Sequence, residues 1–232
     1  MRLICLILCA MKLEAKPFLK ALENPKAESG ALYRAYCGKI AGANVVVAIS
    51  GVGADRAAAA VESLLGSYDI SRVIMSGTAG GIDRKLKIGD SVVSEELLFH
   101  DSNGDLLLPA VADAGGTVYK ADEVLLDTLR IAIEKDPPDH TVYFGRITTG
   151  KTFVTSKSRN IINREFRPLC SDMETAAVAK AVALKGIPFI AVRSISDSAE
   201  KSGMAAFVRY ASLASEHSFI VVKKLLAAKA RK

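Results

Sequence analysis

The sequence predicts an α/β fold: one domain spanning residues 1–232, with a mostly parallel, twisted central sheet and helices on both faces. Three observations carry this. Apolar strand-like runs alternate with helical ones along nearly the whole chain. The runs "LICLILCA" and "IPFIAVRSIS" are almost continuously apolar, as strands buried on both faces are. A chain of 232 residues, 50% hydrophobic, also suffices for one sizeable core.

Taken in order, "LICLILCA" is the first strand and residues near 12 to 23 the first helix. "AYCGKIAGANVVVAIS" holds a hairpin-like pair of strands with Gly and Asn at the turn. "GADRAAAAVESLLGSY" is helical, "SRVIMSG" and "GDSVVSEELLFH" are strands, and residues 121 to 135 are helical up to the breaker "DPPD". "HTVYFGRITTG" is a strand. "LCSDMETAAVAK", residues 169 to 180, opens a helix that ends at Gly186. "IPFIAVRSIS" is a strand, and a long helix runs from about 204 to the end. Residues 101 to 119 have the least regular pattern and are expected to form the most mobile loop. No internal repeat or linker interrupts the chain.

The formal net charge of +6 does not indicate nucleic-acid binding. Five of the positive charges (Lys223, Lys224, Lys229, Arg231 and Lys232) crowd the basic end of the last helix, where they suit its C-terminal dipole. Cys5, Cys9, Cys37 and Cys170 show no C-x-x-C spacing and have too few histidines beside them for zinc, so no metal is expected. Cys5 and Cys9 lie in an apolar run and read as buried thiols of a reducing compartment, hence cytoplasmic. The opening run resembles a short signal peptide but leads into helical periodicity without a small-x-small cleavage site, so a strand explains it better. No run is long enough to span a bilayer.

Ligands of open α/β sheets sit beyond the carboxyl ends of the strands. Those ends carry Met11 and Glu14, "SGVGAD" at 50–55, "SGTAGG" at 76–81, "TTGKTFV" at 148–154 and "RSISDSAE" at 193–200. The glycine turns match neither G-x-G-x-x-G nor a Walker loop, so no nucleotide cofactor is indicated. Local rules alone make Ser171 an N-cap and Glu174 its capping-box partner, Asp197 another N-cap, and Glu14 a first-turn acid. They do not explain why acids from three distant segments fall on one sheet edge.

"AMKLEA" (10–15), "SGTAGGI" (76–82), "LKIGDSVVSEELLFHD" (86–101), "SDMETAAVA" (171–179) and "RSISDSA" (193–199) together resemble the nucleoside phosphorylase and nucleosidase superfamily, nearest to its 5′-methylthioadenosine/S-adenosylhomocysteine nucleosidases. The resemblance covers nearly the whole chain and keeps motif order. It implies hydrolysis of an adenine nucleoside by water, without cofactor, in a homodimer that serves methionine salvage. By the same resemblance Glu14 activates water, Glu174 binds the ribose hydroxyls with Met173 against the sugar, and Asp197, supported by Ser196, protonates adenine N7. Phe153 stacks on the purine and Val154 bonds its edge through the backbone. Thr78 and Arg193 help hold the water, Val52 and Phe207 line the 5′ pocket, and Met11, Ala79 and Gly80 complete the substrate site. Glu174 then serves ribose rather than Ser171, and Asp172 remains as the first-turn acid.

The competing phosphorylases need arginines for phosphate. Here the first loop carries Glu14 instead, and "VIMS" before Gly77 has no arginine. A carboxylate repels phosphate but can accept a proton from water. A binding protein without catalysis is disfavoured because all three acids are present. After "FHD" the segment "SNGDLLLPAVADAGG" is shorter than in the nucleosidases and lacks aromatics. The 5′ group is therefore left open among methylthioadenosine, S-adenosylhomocysteine, 5′-deoxyadenosine and a futalosine-like nucleoside.

Overall fold

"ICLILC" forms β1 (Ile4–Cys9) at the heart of a ten-stranded sheet. Five of its six side chains are buried because helices cover both faces. The computed structural model describes residues 4–102, 105–106, 117–198 and 203–228. Across the sheet the order is β11 (Cys170–Asp172), β10 (Val142–Thr149), β6 (Ser91–Phe99), β12 (Phe189–Asp197), β5 (Ile70–Gly81), β1, β4 (Ala43–Ile49), β3 (Arg34–Ile40) and β2 (Glu23–Ser29). The β4–β1–β5–β12 and β6–β10–β11 pairings are parallel, while β2–β3, β3–β4 and β6–β12 are antiparallel. β11 also pairs antiparallel with β5 through Ser171 and Gly80, so one half of the sheet closes on itself. This brings the ends of β5, β10, β11 and β12 together.

Helices α2 (Ala54–Ser67) and, later in the chain, α5 (Thr175–Ala183) cover one face, through Ala57, Val61 and Leu64 against Val178 and Val182. The other face is covered by α1 (Lys12–Ala21), α3 (Glu123–Lys135) and α6 (Met204–Ala227), with Phe18, Leu129 and Val222 buried. Burying side chains of this size contributes about 1.5–3 kcal/mol each. Between these helices in the chain lies α4 (Ser156–Phe166), which packs Ile162 and Phe166 on Ile82 and Leu98 at the closed end of the sheet.

The expected elements form, with three corrections. The first helix stops at Ala21, and residues 23–29 add the edge strand β2, all of it exposed. Its sequence "ENPKAES" has charges, a proline and no alternation, so only pairing with β3 makes it a strand; such polar edges also discourage further pairing. The helix α4 was not expected. Its buried face is Arg159, Ile162 and Phe166, the right spacing with an arginine in an apolar slot. Finally, Ser171 is no N-cap: it lies in β11, and α5 starts only at Thr175, with Glu174 as N-cap. The hairpin turn falls at Ala41–Gly42, both in the left-handed region, so the turn glycine is where it was expected, while Asn44 already lies in β4, paired with Lys39 of β3. Of the loop expected at 101–119, β7 (Asp101–Ser102) pairs with β8 (Asp105–Leu106), and β9 (Tyr119–Lys120) pairs with β6. Residues 103–104 and 107–116 of that loop and the last four residues lie outside the described residues.

Candidate active site

Beyond the carboxyl ends of β1, β5, β11 and β12 lies a cavity of about 240 Å³. Glu14, Thr78, Ala79, Gly80, Phe153, Val154, Met173, Glu174, Ser196 and Asp197 line it. So do Met11, Val52 and Phe207. Ala10, Thr152 and Met204, which were not among the expected site residues, line it too. Val52 is not a core residue: it is 44% exposed at the cavity mouth, as Phe153 is at 37%.

Glu14 reaches the cavity from the first turn of α1. Its Oε2 accepts from the Ala10 and Met11 amides, both at 3.0 Å, which bends the chain from β1 into the helix. Oε1 accepts from the Thr78 amide at 2.8 Å and the Thr78 hydroxyl at 3.0 Å. Four donors fix this buried carboxylate in one orientation. The approach demands a glycine: a Cβ at Gly77 would lie 2.5 Å from both Glu14 Oε1 and Arg193 Nη1.

Glu174 sits at the start of α5, where the "DMET" turn projects it back toward α2. Its Oε1 accepts from the Gly53 amide at 2.9 Å, and Gly53 holds φ 110°, a conformation glycine adopts without strain. Ser171 instead faces His100, 3.4 Å away. The N-terminal amides of α5 are satisfied by Asp172, which accepts from the Glu174 and Thr175 amides, and by Thr149, which accepts from the Ala176 amide. Asp172 is thus the acid at the helix dipole.

Arg193 does not line the cavity. It is fully buried directly behind it, and it gathers the acids. Its Nε lies 2.7 Å from Asp172 Oδ2, its Nη2 3.3 Å from Glu174 Oε2, and its Nη1 3.9 Å from Glu14 Oε1. Burial alone would weaken its charge, but the three carboxylates outweigh that and keep the guanidinium protonated. Burial pushes the Glu174 carboxyl up to about 7; Arg193 pulls it down, and Asp172 and Glu14 push it up again. Asp197 is raised by burial, against the pull of Arg159 and of the Ser196 hydroxyl. Ser196 donates to Asp197 Oδ1 at 3.2 Å, and Arg159 Nη2 lies 3.4 Å from Oδ2. No sequence signal marked Arg159, because the polar composition of α4 hid the helix that carries it.

The arrangement offers separated carboxyl groups in different electrostatic settings, the condition for dividing acid and base roles. The Asp139, His140 and His217 side chains form a second cluster, the one grouping with metal-ligand composition among the described residues. Its imidazoles are stacked 4.0 Å apart at 11°. His140 turns its Nε2 to Ser91 and its Nδ1 to Asp139, and His217 Nδ1 donates to the Gly89 carbonyl, so these ring nitrogens already have protein partners.

The family model of the phosphorylase superfamily matches residues 5–227. A 5′-methylthioadenosine/S-adenosylhomocysteine nucleosidase of Chromohalobacter salexigens is 32% identical over 228 residues, 95% of each chain. One from Marinomonas sp. (strain MWYL1) is 33% identical over 196 residues, 82% of this chain and 84% of the relative. The crystal structure of the nucleosidase from Colwellia psychrerythraea 34H in complex with adenine superposes with a TM-score of 0.87 at 28% identity, covering 100% of this chain and 99% of that one. The chain therefore belongs to the phosphorylase superfamily, among its 5′-methylthioadenosine/S-adenosylhomocysteine nucleosidases.

Proposed function

We propose that this protein is an N-glycosyl hydrolase that cleaves 5′-methylthioadenosine and/or S-adenosylhomocysteine to adenine and the thioribose. One observation favours water over phosphate as the acceptor. The cavity wall carries four acids (Glu14, Asp172, Glu174 and Asp197) and, among the described residues, no lysine or arginine. Two arginines lie behind the wall: Arg193 is already matched to three carboxylates, and Arg159 lies against Asp197. A phosphate dianion would meet uncompensated negative charge there.

In this reading the bond between C1′ and N9 breaks as the ribose gains oxocarbenium character. Asp197 delivers a proton to N7, so adenine leaves neutral. Glu14 takes a proton from the water whose oxygen bonds to C1′, with Thr78 beside it and Arg193 behind the wall, paired with the Glu14 carboxylate. Glu174 accepts from the ribose hydroxyls and Met173 packs on the sugar. Phe153 stacks on the base, the Val154 backbone bonds its edge, and Ala79 and Gly80 floor the site. Met11, Val52 and Phe207 surround the 5′ substituent.

Methionine salvage as the pathway, the homodimer and the cytoplasmic setting belong to the same proposal, as does reading residues 1–232 as one domain. Four free cysteines, and the absence of any described helix long and apolar enough to cross a membrane, support the setting. The apolar side chains exposed around the mouth, Val52, Phe153 and Met204, support a covering second copy.

The test is a product assay with methylthioadenosine, with and without inorganic phosphate. Adenine plus free methylthioribose, indifferent to phosphate, is expected. A sugar 1-phosphate formed only with phosphate would overturn the reading. Glu14→Gln and Asp197→Asn should each lower kcat by about 10²–10⁴-fold, the usual worth of a general acid or base.

A further inference from the structure

Arg159 occupies a place where the packing of α4 calls for an apolar side chain, in line with Ile162 and Phe166. Burying a guanidinium costs several kcal/mol unless its partners compensate. It is 3% exposed, and its Nε has no hydrogen-bond partner among the described residues. Its Nη1 donates to the Ser198 carbonyl at 2.8 Å and its Nη2 reaches Asp197 Oδ2 at 3.4 Å. Both contacts thus converge on the segment that presents Asp197. The opposite oxygen, Oδ1, is held by Ser196. The carboxyl is anchored from behind at both oxygens while still lining the cavity.

From these contacts we propose that Arg159 is a positioning residue for the reaction, one that orients Asp197 and stabilises the carboxylate left behind when Asp197 gives its proton to the departing base. The proposal rests on the hydrolytic reading above. Among the described residues, the other groups facing Asp197 bring no competing charge. From β5 it meets Gly80, where a Cβ would lie 3.1 Å from Oδ2. Met204 and Phe207 of α6 and the wall from Thr152 to Val154 are uncharged, and Glu14 and Glu174 are gathered by Arg193. Among the described residues, Arg159 is the charge paired with Asp197.

Two effects of opposite appearance follow. Without the guanidinium, Asp197 keeps its proton to higher pH, because a neighbouring cation favours the ionised form. The same change makes it a poorer proton donor, so the rate falls. Merely loosening the packing would lower the rate without moving the pH profile.

The experiment measures adenine release against pH for the wild type, Arg159→Met and Arg159→Lys. Arg159→Met should lose about tenfold or more in kcat, and its alkaline limb should move up by about one pH unit. Arg159→Lys, which keeps the charge, should bring the limb back toward the wild-type position. A limb that stays put in Arg159→Met, or a lysine variant that behaves like the methionine one, would overturn the proposal. A ¹³C NMR titration of the Asp197 carboxyl, assigned by its loss in Asp197→Asn, separates this from the function itself. If the wild type releases no adenine, the hydrolytic reading fails and the kinetic role of Arg159 with it. The titration still decides the coupling: a common midpoint in all three proteins refutes it, and a higher midpoint in Arg159→Met alone supports it. Should Arg159→Met not fold, Arg159→Gln replaces it in both measurements.

Discussion

Glu174 shows how one side chain can be read two ways until its surroundings are known. A serine followed three residues later by a glutamate has the pattern of a capping box. In the fold that serine belongs to a strand, and the glutamate reaches the Gly53 amide on another segment. Its raised titration, about 7, makes a stability prediction. The folded state holds a proton on Glu174 that the unfolded chain releases near 4.5, so stability is lost as pH rises between these values. Glu174→Gln does not titrate. Relative to the wild type it should gain stability between about pH 4.5 and 7, by up to about 3 kcal/mol, readable as a difference in melting temperature. The same variant should lose about 10–100-fold in kcat/KM if a charge-assisted hydrogen bond to ribose is weakened. A stability difference that is flat with pH would show that Glu174 titrates normally.

At the scale of elements, the site depends on how closely β5 passes the first turn of α1 and the end of β12. Gly77 allows that passage, since any side chain would press on Glu14 and Arg193 together. Both are buried and tethered, so neither can yield as a flexible surface chain would. Gly77→Ala should cost about 1–3 kcal/mol in urea unfolding. It should also abolish activity by displacing Glu14 from the Thr78 amide. Survival of full activity would mean the strand can shift without consequence. Strands β1, β5, β6, β10 and β12 and helices α2, α3, α5 and α6 were legible because their apolar residues recur with the right period. The edge strand β2 and the helix α4 were not, for one physical reason. Their polar sequences carry little burial signal, and each is defined by what it docks against: β3 for one, the closed end of the sheet for the other.

At the scale of the whole molecule, the stacked pair His140 and His217 ties the segment before β10 to α6. His217 Nδ1 donates to the Gly89 carbonyl at 2.6 Å, and His140 meets Ser91 at 2.9 Å. Burial, and then the neighbouring imidazole, hold His140 below the ordinary histidine range, against the pull of Asp139 and Asp90. The folded state therefore binds this proton less readily than the unfolded chain. The stabilising contribution is complete above about 6.5 and is lost as pH falls below it. His140→Gln should flatten the decline of melting temperature between pH 7 and 5 relative to the wild type. Parallel declines would exclude His140 as a contributor. His100, also lowered by burial, is unchanged in the comparison and cancels.

The alternation of strands and helices, a mostly parallel sheet and the edge where a site is expected could all be read along the chain. Those follow from periodicity and from glycine turns, which are local. The sequence by itself also named the acids Glu14, Glu174 and Asp197, through motifs whose order along the chain is distinctive. Only the tertiary structure decided what surrounds each acid: Arg193 gathering Asp172, Glu174 and Glu14, Gly53 holding Glu174, and Arg159 behind Asp197. Partners up to 121 residues apart in the chain make these contacts. Whether a carboxyl keeps or gives up its proton depends on the burial and charges those distant partners impose.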